Sequence, residues 1–530
     1  MALPCVFGLG GAHSLCTLVA TGDPMTPKVY RDADAFFAAT YITTDLYKLL
    51  EEVLASLAGK GSYYRVLKLR SPFGGSKSHT LAALLHAARL RKSLNQIPSC
   101  KGLADPGAVD VAVFDGEKFT AAGGKEVGTG RTVNTMWGWL AWQIGAKAYQ
   151  VFEKHDRERI CPQGDEIRAM LAAEGRPVLL LLDEVLKYME AAGSVILGDS
   201  TLQRLALNFL HNLTVEIANS RHAVLVYSLQ WSARQALGNI ALLQTMDALV
   251  SRVDQVREPV TGDEVLAVIK RRLLGDEPPS EAGIAVAQAY CNVIGGFLQA
   301  GADSAAGKQD AQHQTVELRT RIQAAYPFHP ALIDVMNGRW TSVDGYQRTR
   351  GALRFLATTL RAAKAGKSAK PLLGPGEIDL SDADVRNAML KDLDPTQAYD
   401  AVIKSDIVGP NARAKRIDDR LGAQVPALAN VRPASRLATA ILTYSFGGLK
   451  RQDDAQMLPP GVTEMELLTA CIGPDLDSVT ANSVLSDLRN SCLYLHFDGV
   501  RYCFKKDPNV TKLIEDAEQD VARDPDSQNS

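Results

Sequence analysis

From residue 43 onward the apolar positions switch between two periods. Tyr47, Leu49, Leu50, Val53 and Leu54 recur at helical spacing behind Thr43 or Thr44, either of which can cap a helix. Residues 64–69 (YRVLKL) make a β-prone run, followed by a loop and a helix through Leu81, Leu84, Leu85 and Ala88. Residues 109–114 read as a second strand and 137–149 as helix. Residues 178–183 (VLLLLD) are apolar up to a terminal acid, the pattern of a strand buried on both faces. A helix over 201–219, a strand over 223–230 (AVLVYSLQ) and a short last strand over 253–256 complete the series. This alternation predicts an α/β fold, a parallel sheet with helices on both faces.

After Pro259 the pattern turns helical. Thr261-Gly262-Asp263-Glu264 reads as a capping box opening a helix over 265–274, with further helices over 284–298 and 347–363. Two polar, small-residue stretches, 299–314 and 364–376, separate these pieces, and the second has the composition of a linker. Near the C-terminus, helices over 434–445, 464–471 and 479–490 precede strands over 493–497 and 500–504 around an Asp498-Gly499 turn. Three helices and a hairpin are a winged-helix pattern.

Composition narrows the function classes. At ~150 residues per domain, 530 residues make three or four domains. Lys and Arg number 58 against 60 Asp and Glu, a net charge of −2, which excludes a bulk electrostatic binder of nucleic acid or membrane but not a local basic patch. The longest apolar runs stop far short of the ~20 residues that span a bilayer, so no membrane partner is expected. Eight scattered cysteines lack zinc spacing and fit a reducing, cytoplasmic setting. The first basic residue is Lys28, so the apolar start of the chain reads as a leader and not as a signal peptide.

The chemistry gathers at the strand ends. Ser71-Pro72-Phe73-Gly74-Gly75-Ser76-Lys77-Ser78-His79-Thr80 joins a strand to a helix, where backbone N–H groups and the helix terminus can cradle phosphate. Gly74, Gly75, Ser76, Lys77, Ser78 and His79 are therefore candidates for nucleotide binding. Lys77 stands where it would neutralise phosphates and Ser78 where a hydroxyl ligates magnesium. Asp183 and Glu184 close the third strand: Asp183 would hold the magnesium and Glu184 would activate the attacking water. Ser228, at the polar tip of the next strand, could sense the γ-phosphate. Arg252 could act as a finger in a neighbouring subunit, and Arg350 or Arg354 could reach back from a helical lid; each also reads as an ordinary salt-bridging arginine.

The order of lysine loop, acidic strand end, polar strand tip and Ser251-Arg252, followed by a helical lid, resembles the AAA+ class of P-loop ATPases. Longer phrases resemble the large prokaryotic ATPases of the domain-of-unknown-function 499 family. They are the loop from Phe73 to Thr80, Thr135-Met136-Trp137-Gly138, Leu182-Asp183-Glu184, Tyr326-Pro327-Phe328-His329-Pro330 and the stretch from Arg348 to Arg354. The resemblance covers the chain from about residue 30 to the C-terminal domain. It implies an ATP- and magnesium-dependent, oligomeric enzyme of an anti-phage module, acting beside a DNA methyltransferase or helicase. Two departures stand out. Ser76 occupies the place before the lysine where glycine is usual, and many relatives are longer.

The implied organisation is a leader (1–42), a P-loop ATPase core (43–260), a helical lid (261–363), a linker and helical segment (364–430), a winged-helix-like domain (431–514) and a flexible tail (515–530). Arg489, Arg501, Lys505 and Lys506 could meet DNA phosphates on the last domain, which otherwise reads as a protein-binding module. His329 between its prolines and the Trp137, Trp139 and Trp142 cluster read as packing. The alternative to an ATPase is a non-hydrolysing nucleotide-dependent scaffold, or a DNA-binding regulator with a degenerate core.

Overall fold

Each of the five β-prone runs forms a strand in the computed structural model, which describes residues 27–69, 77–128, 130–228, 242, 255–257, 264–274, 280–343, 345–346, 348–366, 370–450, 457–510, 512–514 and 518. In chain order the first half contains α1 (Ala33–Ala38), α2 (Thr44–Leu57), β1 (Val66–Leu69), α3 (Lys77–Arg89) and β2 (Asp110–Asp115). A hairpin, β3 (Lys125–Val127) and β4 (Arg131–Val133), leads to α4 (Met136–Ile144), α5 (Ala146–Glu158) and α6 (Gly164–Ala172). Then come β5 (Val178–Asp183), α7 (Val185–Ala192), α8 (Leu202–Asn219), β6 (Ala223–Ser228), β7 (Gln255–Arg257) and α9 (Val265–Leu274).

The five long-sheet strands are parallel, in the order β2-β5-β6-β1-β7. Alternate residues of each strand face opposite sides. Leu180, Leu182, Leu225 and Tyr227 join Phe114, Trp137, Phe152 and Phe209 in one core. Leu179, Leu181, Val224 and Val226 join Leu50, Leu54, Leu81 and Leu85 in the other, so helices cover both faces. Every residue of β5 and β6 is buried. The outer edge of β2 is closed by a side chain: Val113 N–H donates to Gln143 Oε1 (3.1 Å) and Val113 C=O accepts from Gln143 Nε2 (2.8 Å).

One cap divides the segment 137–149, expected as one helix, and another starts it. Gly145 carries no side chain, so Glu174 Oε1 reaches Lys147 N–H at 2.9 Å and starts α5. Upstream, the buried Asp156 carboxylate accepts from Asn134 N–H (3.0 Å), Thr135 N–H (2.9 Å), Thr135 Oγ1 (2.6 Å) and Tyr149 OH (3.1 Å), while Thr135 Oγ1 caps Gly138 N–H. A Cβ at Gly138 would stand 2.1 Å from that carboxylate. The Thr-Met-Trp-Gly phrase is thus a helix start built around a buried acid.

The chain divides into two compact units, Ala2–Gly275 and Asp276–Ser530. The second opens with α10 (Ser280–Ala300) packed on α11 (Ala305–Ala325). Residues 299–314, expected to separate helices, lie mostly inside these two. Ser304 caps α11 by accepting from Gly307 N–H (3.0 Å), and the buried face of α11 is only Ala311, Thr315, Ile322 and Ala325, too small and polar to show a period. After α12 (Pro330–Asp334) and α13 (Arg348–Ala365), residues 370–376 pack where a linker was expected. Leu372 and Leu373 are buried, and Leu373 exchanges backbone hydrogen bonds with Pro327 and His329.

Next come α14 (Ala383–Leu393), α15 (Arg413–Gln424) and α16 (Pro433–Tyr444), then β8 (Val462–Thr463), α17 (Glu464–Cys471), α18 (Ser478–Ser491), β9 (Leu495–Phe497) and β10 (Arg501–Phe504). The last three strands form an antiparallel sheet in the order β8-β10-β9, with Val462 opposite Tyr502. Thr463 and Glu466 cap α17 reciprocally. The proposed box at 261–264 lies outside the described residues except for Glu264, whose carboxylate instead accepts from Thr44 N–H (2.9 Å) and Oγ1 (3.1 Å). Among the described residues no helix is long and apolar enough to cross a membrane.

Candidate functional site

Because the long-sheet strands are parallel, their C-terminal ends share one edge. In an open sheet this edge is where ligands bind, near the point at which the strand order reverses. Here β1 lies between β6 and β7, while β2 and β5 lie on the far side of β6. Asp183 closes β5 and is 1% exposed. Its Oδ2 accepts from Ser78 Oγ (3.0 Å), and its Oδ1 accepts from Ser228 Oγ and from Glu184 N–H (3.1 Å). Three residues far apart in sequence thus meet: Ser78 in the first turn of α3, and Asp183 and Ser228 at adjacent strand ends.

Lys77 begins α3 and is 7% exposed. Its Nζ has no hydrogen-bond partner among the described residues. Burial lowers its pKa, against the opposing pull of Glu184 and Asp183. Glu184 lies at φ 51°, in the left-handed region, as the residue before α7. Burial pushes its pKa to about 7, Asp183 and Asp115 add to the rise, and Lys77 opposes it. A carboxylate so placed titrates near neutral pH, where its ionised form suits a general base.

The sequence pattern did not single out Asp115. It ends β2 directly beside Asp183 in the strand register and is 3% exposed. Reading the strand as 109–114 stops one residue short of it. Both adjacent strands end in Asp, and that shared ending was the available signal.

His79 follows Ser78 but is engaged elsewhere. Its Nδ1 lies 3.2 Å from Arg272 Nη2, its Nε2 lies 3.2 Å from Thr40 Oγ1, and its ring stacks on Phe36 at 4.6 Å. An arginine only donates, so Nδ1 accepts and the proton sits on Nε2. Burial, Arg272 and His86 hold its pKa well below the usual histidine range, in keeping with that neutral ring. Gly74, Gly75, Ser76 and Arg252 lie outside the described residues, as does the side chain of Arg350. Arg354, in the second unit, is ion-paired with Asp392 at 3.3 Å.

The basic residues near the C-terminus are mostly engaged within the chain. Arg489 lies over the Phe497 ring (4.4 Å), Arg501 donates to Gly461 C=O (3.4 Å), and Lys506 pairs with Asp394 (3.1 Å). Lys505 is exposed. His329 caps α12 through Nδ1, which accepts from Ala331 N–H at 3.1 Å. Trp137 is buried in the core, and Trp139 and Trp142 pack against it.

The residues fit a phosphate-bearing ligand. A buried ammonium without a partner is costly, and an anion beside it relieves that cost. Ser78 and Asp183 are close enough for one cation to meet both.

No curated protein matches the chain. Among solved structures, the Orc1 protein of Aeropyrum pernix, in complex with DNA, is similar at 12% identity, with 91% of this chain and 94% of that chain covered and a TM-score of 0.31. The DUF499 N-terminal domain matches residues 7–262 and the DUF499 second domain matches residues 262–462, so the chain belongs to the DUF499 family.

Proposed function

We propose that this chain is an AAA+-like ATPase that binds ATP with magnesium at the C-terminal edge of its parallel sheet and hydrolyses it. The observation that carries this reading is the buried ammonium of Lys77 at a helix start, with no hydrogen-bond partner among the described residues, near the two acids Asp183 and Glu184. Lys77 and the first N–H groups of α3 bind phosphate. Ser78 and Asp183 would hold magnesium, which supplies neutralisation of phosphate charge. Ser228 fixes the Asp183 carboxylate by donating to it. Glu184 accepts the proton of the attacking water.

Arg252 serves as the finger toward a second copy in a homo-oligomer, and Arg350 or Arg354 as the lid sensor. The C-terminal helices and hairpin act as a winged helix that meets DNA or a protein. By its family resemblance the enzyme works in an anti-phage module with a DNA methyltransferase or helicase. Plating phage on cells carrying the Glu184→Gln module tests this, with loss of protection expected.

The direct test is magnesium-dependent ATP binding and hydrolysis by wild type, Lys77→Ala and Glu184→Gln. Glu184→Gln keeps ATP affinity and loses about 10²-fold or more in turnover. Lys77→Ala loses ATP binding itself. A Glu184→Gln chain that turns over at the wild-type rate removes Glu184 from the mechanism. Ser76, before the lysine, favours a second reading, a nucleotide-dependent scaffold; wild-type binding without turnover selects it.

A further inference from the structure

Glu184 is held by more than its own strand. Gly116, just past β2, donates its N–H to Asp183 C=O at 3.0 Å. A Cβ there would stand 2.0 Å from Glu184 C=O and 3.2 Å from Tyr188 Cβ, so only glycine lets the two strand-end turns close on each other. The next residue, Glu117, donates its N–H to Asp115 Oδ1 (3.0 Å), and its carboxylate is ion-paired with Lys187. Lys187 stands one turn after Glu184 on α7, with its Nζ 3.8 Å from Glu184 Oε2. One ammonium therefore bridges two carboxylates that come from different strand ends. The Glu184 backbone that they flank is left-handed (φ 51°), a conformation that a residue with a side chain keeps only when its surroundings hold it.

We propose that Gly116, Glu117 and Lys187 form a brace that aims the Glu184 carboxylate. This rests on reading the site as an ATPase centre and adds positioning residues to it. None of the three has to touch the nucleotide. Glu117 anchors Lys187, Lys187 holds one oxygen of Glu184, and Gly116 fixes the backbone from which that side chain springs. A base aimed in this way spends its time in one geometry, and releasing it lowers the fraction of encounters aligned with the attacking water.

The test uses the full chain, with magnesium and ADP as the first probe and aluminium fluoride added to the ADP complex as the second. The fluoride complex mimics the phosphoryl group in transfer with its in-line water. Lys187→Met is expected to bind ADP as wild type does, to capture aluminium fluoride about tenfold less tightly, and to lose the same factor in kcat at unchanged KM. Lys187→Arg restores capture. The Glu117→Gln/Lys187→Met double variant is no worse than Lys187→Met, because the pair acts as a unit.

Lys187→Met capturing fluoride as wild type overturns the brace, and so does a loss that appears equally in ADP binding, which marks a merely structural role. Wild type that binds ADP without capturing fluoride overturns it as well. Wild type that binds no ADP at all overturns the site reading itself, a result distinct from the others.

Discussion

At the scale of single residues, the site was legible where its chemistry is local. Lys77-Ser78 sits between a strand and a helix, and Asp183-Glu184 ends an apolar run, so both pairs announce themselves in sequence. Gly116 and Lys187 do not, because each gains its meaning from contact with another strand end. The same holds for Gly138. Gly138→Ala forces a methyl group onto the Asp156 carboxylate and is expected to cost about 3 kcal/mol of stability, read by denaturant unfolding. His329 makes a pH-dependent prediction. Burial holds its pKa at about 4, below the usual 6.5, with Arg321 adding to the fall. Between those values the unfolded chain carries more protons than the folded one. Stability is therefore full above pH 6.5 and declines as the pH falls toward 4, by up to about 3 kcal/mol. His329→Asn keeps an acceptor for the cap and removes this decline. An unchanged slope in the variant would assign the effect to other groups.

At the scale of elements, hydrophobic period marked the five strands of the long sheet and missed several helices, among them α6, α7 and α11. The buried face of α11 is built from Ala, Thr and a single Ile, so its helix rests on propensity and a serine cap, with no apolar stripe to read. The divided helix at Gly145 was hidden for a different reason, since its cap comes from Glu174, distant in sequence. At the free edge of β2 the Gln143 amide meets both backbone groups of Val113, whose carbonyl also accepts from Trp139 Nε1. Gln143→Ala leaves Val113 N–H without its partner and is expected to destabilise the chain by about 1–2 kcal/mol. Measured by thermal unfolding, the loss should be accompanied by faster aggregation, because an open strand edge is a template for pairing.

At the scale of the whole molecule, each of the two units buries apolar residues of its own. Leu180→Ala, in the middle of β5, is expected to cost about 2–5 kcal/mol. Hydrogen exchange should then rise across the sheet strands while the amides of α16 stay protected; an equal rise in both units would make them one cooperative body. Sequence alone determined the identity and direction of the long-sheet strands, the loop with its lysine and the acids that end an apolar run, because these depend on neighbours a few residues away. Tertiary structure decided the rest. The strand order β2-β5-β6-β1-β7 puts Ser78 and Ser228 on Asp183, sets Asp115 beside it and leaves Lys77 buried, with no hydrogen-bond partner among the described residues. It also ties His79 to Arg272 and Thr40. Which strands become neighbours is settled by packing two faces of a sheet at once, and no local window of the chain contains that information.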